Sequence, residues 1–246
     1  MPSPVRVGCS WMTTPVYLVT ASVVAYLVGG IPFGYIIGRL VAGIDIRSRG
    51  SGNIGATNVG RVLGMKWGVA VLVPDALKGL LPVLAVKLTM REWLGLTEGQ
   101  AALVVHAQVL VGLVAILGHM YPCWIGLRGG KGVATALGVA AILGPVATLV
   151  SVPVYVLTLL ASRLPSLSSL LGALVFAVSQ CVVMAREETL QQFWGLTAFS
   201  LAVPLLIIYR HRGNIRRILR GEEPRIGGRP AADEPGDLQA IDPELE

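Results

Sequence analysis

Residues 133–160 read VATALGVAAILGPVATLVSVPVYVLTLL, 28 positions without a charge. An untilted helix needs about 20 apolar residues to cross the hydrocarbon of a bilayer. The stretch is too long for one such crossing, and it carries Pro145 and Pro153. Proline lacks the N–H that continues a helical ladder and pushes the residue before it out of the helical region. The spacing therefore predicts a short helix up to about Leu143, a break at Gly144-Pro145, and a second helix returning to near Arg163. One window becomes two segments.

Further apolar windows lie at about Tyr17–Val41, Trp67–Leu88, Ala101–Leu117, Leu167–Met184 and Phe193–Tyr209. With the split window they predict seven transmembrane helices, some short or broken, in an all-α polytopic integral membrane protein. Composition agrees: 54% of the 246 residues are hydrophobic, 14% are charged, and mean hydropathy is +0.69. Soluble domains carry about 25% charge, so that class is excluded. The apolar content also excludes a disordered or collagen-like chain, despite 30 Gly and 15 Pro.

Charge sets the expected orientation. With the N-terminus outside, one membrane face holds 13 cations: Arg39, Arg47, Arg49, Arg61, Lys66, Arg128, Lys131, Arg163 and the five arginines of Arg210–Arg220. The other face holds four, Arg6, Lys87, Arg91 and Arg186, while Lys78 lies within a window. The richer face is expected in the cytoplasm, and seven crossings bring the C-terminus to that same side. No cleavable signal peptide is evident, since no small-residue cleavage site follows the long first window. Three regions follow: an N-terminal extension at 1–16, a membrane-embedded domain at 17–221, and a tail at 222–246 that holds eight of the 14 acidic residues. The tail is expected to be disordered. Residues 1–221 then carry a net charge of +12. A basic body in an apolar chain suits a membrane surface and anionic substrates and offers no soluble face for DNA. Cys9, Cys123 and Cys181 show no paired spacing, so neither a disulfide framework nor a metal site is expected, and Arg6 before Cys9 excludes a lipoprotein signal.

Four constellations carry candidate chemistry. Gly50-Ser51-Gly52-Asn53-Ile54-Gly55-Ala56-Thr57-Asn58, followed by Arg61, lies between two windows. Such a loop bends its backbone so that N–H groups converge on an anion, and Arg61 adds a planar fork for phosphate oxygens. A flexible loop beside glycine-packed helices has the same composition. Gly118-His119-Met120-Tyr121-Pro122 precedes Arg128-Gly129-Gly130-Lys131-Gly132-Val133-Ala134-Thr135, a glycine-rich turn opening into a helix. Its N–H groups and Lys131 suit phosphate. Close helix packing and a topogenic lysine are the plain alternatives. It is not a Walker A loop, because Gly132 follows Lys131 where Ser or Thr is required. His211 and Asn214 share a helical face in a basic stretch, which also suits a headgroup anchor. Asp75 and Lys78 lie inside an apolar window, as a structural ion pair or as groups shaping the site. His106 reads as a satisfied core histidine. No histidine is followed five positions later by Asp, so the general-base motif of thioester-using glycerolipid acyltransferases is absent, as is a Gly-x-Ser-x-Gly elbow.

Taken together, in order and spacing, the Gly50–Asn58, Gly118–Pro122, Gly129–Thr135 and His211…Asn214 motifs resemble the bacterial acyl-phosphate-dependent glycerol-3-phosphate acyltransferases, the PlsY family. The resemblance runs from Gly30-Ile31-Pro32-Phe33-Gly34 to Gly221 and includes Asp75-x-x-Lys78-Gly79. It implies a seven-helix enzyme of the bacterial inner membrane with its active site at the cytoplasmic face. Such an enzyme moves an acyl chain from acyl phosphate to the 1-hydroxyl of glycerol 3-phosphate, without coenzyme A, acyl carrier protein, cofactor or metal. By position it implies that Ser51, Arg61 and Lys131 hold phosphate groups and that His211 and Asn214 contact the glycerol phosphate. Gly52, Asn53, Gly55, Thr57, Asn58, His119, Gly129, Gly130 and Gly132 are implied as substrate-binding. Glycerol 3-phosphate, acyl phosphate and membrane lipid are the implied partners, and an acyl-phosphate-producing enzyme is the protein partner it suggests. Gly213 stands where the family usually has Glu, and Arg128 where it has Lys. The hydroxyl proton goes to the donor's own phosphate, to His211 or to His119. The competing reading is a secondary transporter of a phosphorylated solute, which also uses broken helices and intramembrane charge.

Overall fold

The structure, a computed structural model, describes residues 10–187 and 189–227, and the regular elements among them are helical. α1 (Ser10–Gly29) and α2 (Phe33–Ala42) divide what the apolar pattern offers as one window, because Gly30-Ile31-Pro32 interrupts the ladder. α1 also starts within the expected N-terminal extension, since a helix need not end where its apolar stretch does. α3 (Ala56–Leu63) and α4 (Met65–Leu94) follow, then α5 (Ala101–Met120). α6 (Val133–Leu143) and α7 (Pro145–Ser162) part at Gly144, with Pro145 opening α7, where its missing N–H costs nothing. α8 (Pro165–Arg186), α9 (Trp194–Arg210) and α10 (Arg212–Leu219) complete the set. Residues 1–9, Cys9 with them, and 228–246 of the expected tail lie outside the described residues.

Five segments are long and apolar enough to cross a membrane: Thr14–Ala42, Met65–Leu94, Glu98–Ile125, Pro145–Ser162 and Pro165–Arg186. α6 and α9 are shorter apolar helices. At 1.5 Å per residue α6 extends about 16 Å, roughly half the hydrocarbon thickness.

The surface and the interior are distributed as for an apolar solvent. Leu72, Leu81, Leu149, Leu157, Leu174 and Leu205 are exposed along the helices, while Gln108, Thr135, Ser151, Gln180 and Ser200 are buried between them. Helices meet through small residues. A Cβ added at Gly79 of α4 would run into the Thr135 carbonyl of α6, and one at Gly138 of α6 into the Ala76 carbonyl of α4. Gly29 and Gly118 do the same for α1 and α5. Such close backbone approach gives dispersion contacts that lipid tails cannot match.

Two hydrogen bonds show how the helices alternate. Tyr17 near the start of α1 meets Thr89 near the end of α4 at 2.8 Å, whereas Tyr26 further along α1 donates to the Tyr121 carbonyl after α5 at 2.6 Å. The α4–α5 turn therefore lies at the end where α1 begins, and the turn after α5 at the opposite end. His106 departs from the expected satisfied core histidine. It is half-buried, its Nε2 has no hydrogen-bond partner among the described residues, and its ring lies 5.0 Å from that of Trp194. Gly195 leaves the space for that ring, so packing rather than hydrogen bonding places it.

Candidate active site

Asn58 closes the first glycine-rich loop. It is 1% exposed and donates Nδ2 to the carbonyls of Ile46, Arg49 and Asn53, while its Oδ1 accepts from the Ser51 N–H at 2.7 Å. The amide is spent on the loop backbone. Asn58 therefore holds Ser51 in place and does not line the cleft described below. Asn53 Oδ1 accepts from the Gly55 N–H at 2.8 Å, which turns the chain into α3. Thr57 is exposed on the first turn of α3. Arg47, paired with Asp45 at 2.7 Å, donates to the Ile125 carbonyl and so ties this loop to the segment after α5.

The second loop folds back on the end of α5. Gly130 and Gly129 donate their N–H groups to the His119 and Met120 carbonyls at 3.1 and 3.2 Å. Neither tolerates a side chain, since a Cβ at Gly130 would meet the His119 ring and one at Gly129 the His119 carbonyl. Gly132 has φ of +81°, a left-handed conformation that glycine adopts freely, and it caps α6 directly after Lys131. Arg210 clamps the loop from the end of α9, donating Nη2 to the Gly130 carbonyl at 2.7 Å and to that of Gly129 at 3.2 Å.

His119 lies beneath this loop, 3% exposed, with Nδ1 3.7 Å from Asp75 Oδ1. Asp75 pairs with Lys78 at 2.7 Å, both 3% exposed, and Lys78 donates to the Ile31 carbonyl in the α1–α2 break at 2.8 Å. This buried group supports two loops and touches no open space.

The loops meet at one cleft of about 350 Å³. Ser51 and Asn53 come from the first loop, Lys131 from the second, and Asn214 with Gly213 from α10. Arg210, Arg212, Arg216 and Arg217 complete a lining that, among the described residues, has five cationic side chains and no acidic one. Lys131 Nζ donates to Asn214 Oδ1 at 2.5 Å, so two motifs far apart in sequence are in contact. Arg61 stands beside the cleft and donates to the Pro224 carbonyl at 3.4 Å. A second hollow of about 370 Å³, between Leu160–Arg163 and Arg225–Gly227, receives none of the motifs.

Lys131 and His211 have displaced pKa values. Burial, the nearby arginines 217, 61 and 210, and the opposing pull of Glu223 leave Lys131 lowered to about 8. Burial and the Lys131 charge lower His211 to about 4. His211 Nδ1 lies 2.8 Å from the Ile207 carbonyl, which only accepts. The proton is therefore on Nδ1, and Nε2 keeps its lone pair.

A family model described as glycerol-3-phosphate acyltransferase matches residues 19–221. The chain belongs to that family. It is 48% identical over 202 residues to a glycerol-3-phosphate acyltransferase of Myxococcus xanthus, covering 82% of this chain and 95% of the relative. To that of Anaeromyxobacter sp. strain Fw109-5 it is 46% identical over 201 residues, covering 82% and 92%. Among solved structures it resembles PlsY, an integral membrane glycerol 3-phosphate acyltransferase. The glycerol 3-phosphate form of PlsY superposes with a TM-score of 0.73 at 37% identity, over 85% of this chain and 95% of PlsY. The lysophosphatidic acid form gives 0.70 at 36%.

The motifs read from the sequence do not reveal every residue at this cleft. Arg210 and Arg217 carry only a sign in the sequence; their partners are set by folding. Glu223, within the expected tail, is instead buried. Asn214 Nδ2 donates to its Oε1 at 2.6 Å, Ser166 Oγ to the same atom at 2.8 Å, and Arg217 Nε to Oε2 at 2.7 Å. Position 213, where the resemblance implies a glutamate, is glycine, and the carboxylate that reaches the neighbouring Asn214 comes from Glu223. Its only sequence cue is its place two residues after Gly221, where the helix has ended.

Proposed function

We propose that the chain transfers an acyl group from acyl phosphate to the 1-hydroxyl of sn-glycerol 3-phosphate, giving lysophosphatidic acid and inorganic phosphate for phospholipid synthesis. The observation that carries this reading is the cleft, in which five cations without a lining acid face one space beside Ser51, Asn53 and Asn214. Both substrates are phosphate compounds, and holding two anions against their repulsion needs an excess of positive charge. Orientation of bound reactants is worth roughly 7–11 kcal/mol in the best intramolecular cases. The solved PlsY forms with glycerol 3-phosphate and lysophosphatidic acid support the acceptor and the product.

In this mechanism the glycerol oxygen attacks the acyl carbonyl carbon, and the bond from that carbon to the phosphate oxygen breaks. Lys131, Ser51 and the arginines hold the phosphates and stabilise charge on the one that departs. Acyl phosphate is already activated, so no protein nucleophile is needed. The hydroxyl proton passes to the phosphate of the donor. His119 is buried away from the cleft, and His211, with a pKa near 4, takes a proton poorly at neutral pH. His211 is 2% exposed and does not line the cleft, so in place of the expected substrate contact it joins the end of α9 to α10 through the Ile207 carbonyl. The acyl chain lies between helices, open to lipid.

On the same reading the chain crosses the bacterial inner membrane seven times, with α6 and α9 as its shortest crossings. Its N-terminus is outside, and its cleft and C-terminus are cytoplasmic, which the 13-to-four cation asymmetry supports. The catalytic unit starts near residue 17 and includes 222–227, beyond the 221 boundary expected from sequence. The transporter reading draws on the α1–α2 and α6–α7 breaks, but its substrate site belongs near the bilayer midplane, whereas this cleft lies at loop ends. The deciding assay gives purified protein acyl phosphate and labelled glycerol 3-phosphate without thioester or metal. Lysophosphatidic acid is expected, and its absence rejects the reading.

A further inference from the structure

We infer that the hollow of about 370 Å³ between the α7–α8 turn and residues 225–227 is a headgroup site for an anionic phospholipid of the surrounding bilayer. The inference needs the chain to be membrane-embedded but does not draw on the acylation chemistry. Arg163 and Arg225 line the hollow from its two sides, the turn and the segment after α10. Both are exposed, and neither side chain has a hydrogen-bond, ion-pair or aromatic partner among the described residues. No acid among the described residues lines the space: Glu223 is turned inward to Ser166, Asn214 and Arg217, and Glu222 stands outside the lining. Two unneutralised guanidinium groups beside open space suit a phosphate, whose oxygens the planar fork takes in pairs.

The place of the hollow on α7 makes that phosphate a lipid's. At 1.5 Å per residue the 18 residues of α7 extend about 27 Å, close to the hydrocarbon thickness of about 30 Å. Arg163, at the C-cap of α7, therefore stands at a bilayer surface. Ser166 at the start of α8 reaches Glu223, which also holds Asn214 of the cleft, so this surface is the one that carries the cleft. On the membrane side, Leu149, Val156 and Leu160 are exposed along one face of α7, and Leu160 also lines the hollow. A lipid tail laid along that face delivers its headgroup to the arginines. A soluble anion gains nothing from Leu160. Arg163 is the first charge after Lys131, and its φ of +58° is a left-handed conformation that glycine or asparagine usually supplies at a helix end. Its carbonyl accepts the Ile226 N–H at 2.9 Å, which holds the segment of Arg225 against the turn. Basic pockets beside transmembrane helices at the cytoplasmic surface are a recurring form of headgroup recognition.

The test is native mass spectrometry of the full chain in detergent, titrated with phosphatidylglycerol or with phosphatidylcholine of the same acyl chains. Saturating glycerol 3-phosphate is present to occupy the cleft. The wild-type chain is expected to retain one phosphatidylglycerol in preference to phosphatidylcholine. Arg163→Ala with Arg225→Ala is expected to weaken phosphatidylglycerol retention roughly 30-fold, about fivefold for each arginine near the surface, and to leave phosphatidylcholine unchanged. Thermal unfolding in lipid-free detergent first shows each variant folded. If the double variant does not fold, Arg225→Gln, which removes an exposed side chain without a protein partner, decides at about fivefold. Equal retention of the two lipids by the wild-type chain, or undiminished retention in the folded variants, overturns the inference. Displacement of the lipid by inorganic phosphate would assign the hollow to a free anion, and loss of the preference when glycerol 3-phosphate is added would place the lipid in the cleft; either result overturns it. A full chain with the acids from Asp233 to Glu246 changed to amides is expected to retain the lipid as the wild type does. A rise of the same 30-fold would make the acidic tail the occupant and overturn the inference. None of these measurements requires turnover, so a chain that fails the acylation assay still decides this site.

Discussion

Two groups of charges lie close together in this molecule and are built in opposite ways. Asp75, Lys78 and His119 form a closed set inside the helices, where one acid meets a cation at 2.7 Å and both are 3% exposed. Lys131 and the four lining arginines form an open set at the loop ends, where the cations outnumber any nearby acid. The closed set is neutralised by its own ion pair, although His119 Nδ1 has no hydrogen-bond partner among the described residues. What it does for function is mechanical: it anchors the α1–α2 break and carries the glycine loop. The open set is incomplete without an anion. Charge in a membrane protein marks a ligand site when it is left unneutralised beside space, and a support when it is paired and shut in.

The sharpest way to break this contrast is to remove the open set's central cation. Lys131→Ala is expected to lower kcat/KM for acylation by about 10³-fold, the upper scale for one charge-stabilising donor, with thermal unfolding unchanged. Ser51→Ala follows at about 10²-fold on the same scale. Near-normal rates in both would mean that the cleft is not the site.

The closed set predicts the reverse pattern. Lys78→Met strands a buried carboxylate and is expected to destabilise the fold by about 3–5 kcal/mol, read as a lower unfolding midpoint in detergent. The double variant Asp75→Asn with Lys78→Met removes both charges and is expected to recover much of that loss. A Lys78→Met protein that unfolds normally yet binds glycerol 3-phosphate weakly would move the pair into the site.

The sequence distinguished these regions only in part. Proline and apolar length were enough for the α6–α7 break, because backbone chemistry acts locally. The α1–α2 break was hidden, since Ile31 and Phe33 kept the window apolar around Pro32. Ser51, Asn53, Lys131 and Asn214 stood out because small polar residues and a lysine between spans are unusual. Asn58 sits in the same motif, yet which of its neighbours turns inward depends on how the loop closes. Glu223 was unreadable for a different reason. Its partners Ser166 and Asn214 lie on α8 and α10, and only their packing turns a carboxylate in an acidic segment into a buried one.

A pH profile sharpens the contrast on the open side. Lys131 has its pKa lowered to about 8, so its ammonium is present below that value and is lost as pH rises through it. The kcat/KM profile reports the free enzyme, and it is expected to fall up to about tenfold per unit above pH 8. Because His211 is lowered to about 4, no histidine limb is expected between pH 5 and 8; a loss near pH 6 belongs to protonation of the substrate phosphates. A limb near 6.5 that disappears in His211→Gln would restore the histidine as general base.

The smallest effect tests where the open set ends. Arg216 lines the cleft but is exposed at its rim, where water screens its charge and its side chain must be ordered to act. Arg216→Ala is therefore expected to raise KM for glycerol 3-phosphate only about threefold, and less at high salt. Arg210 has the same charge but is fastened to the carbonyls of Gly129 and Gly130, so Arg210→Ala should disturb the loop that carries Lys131 and lower kcat as well as binding. If the two arginines behave alike, the cleft acts as a diffuse positive surface. If they differ as expected, position within the hydrogen-bond network, and not charge alone, decides what each cation contributes.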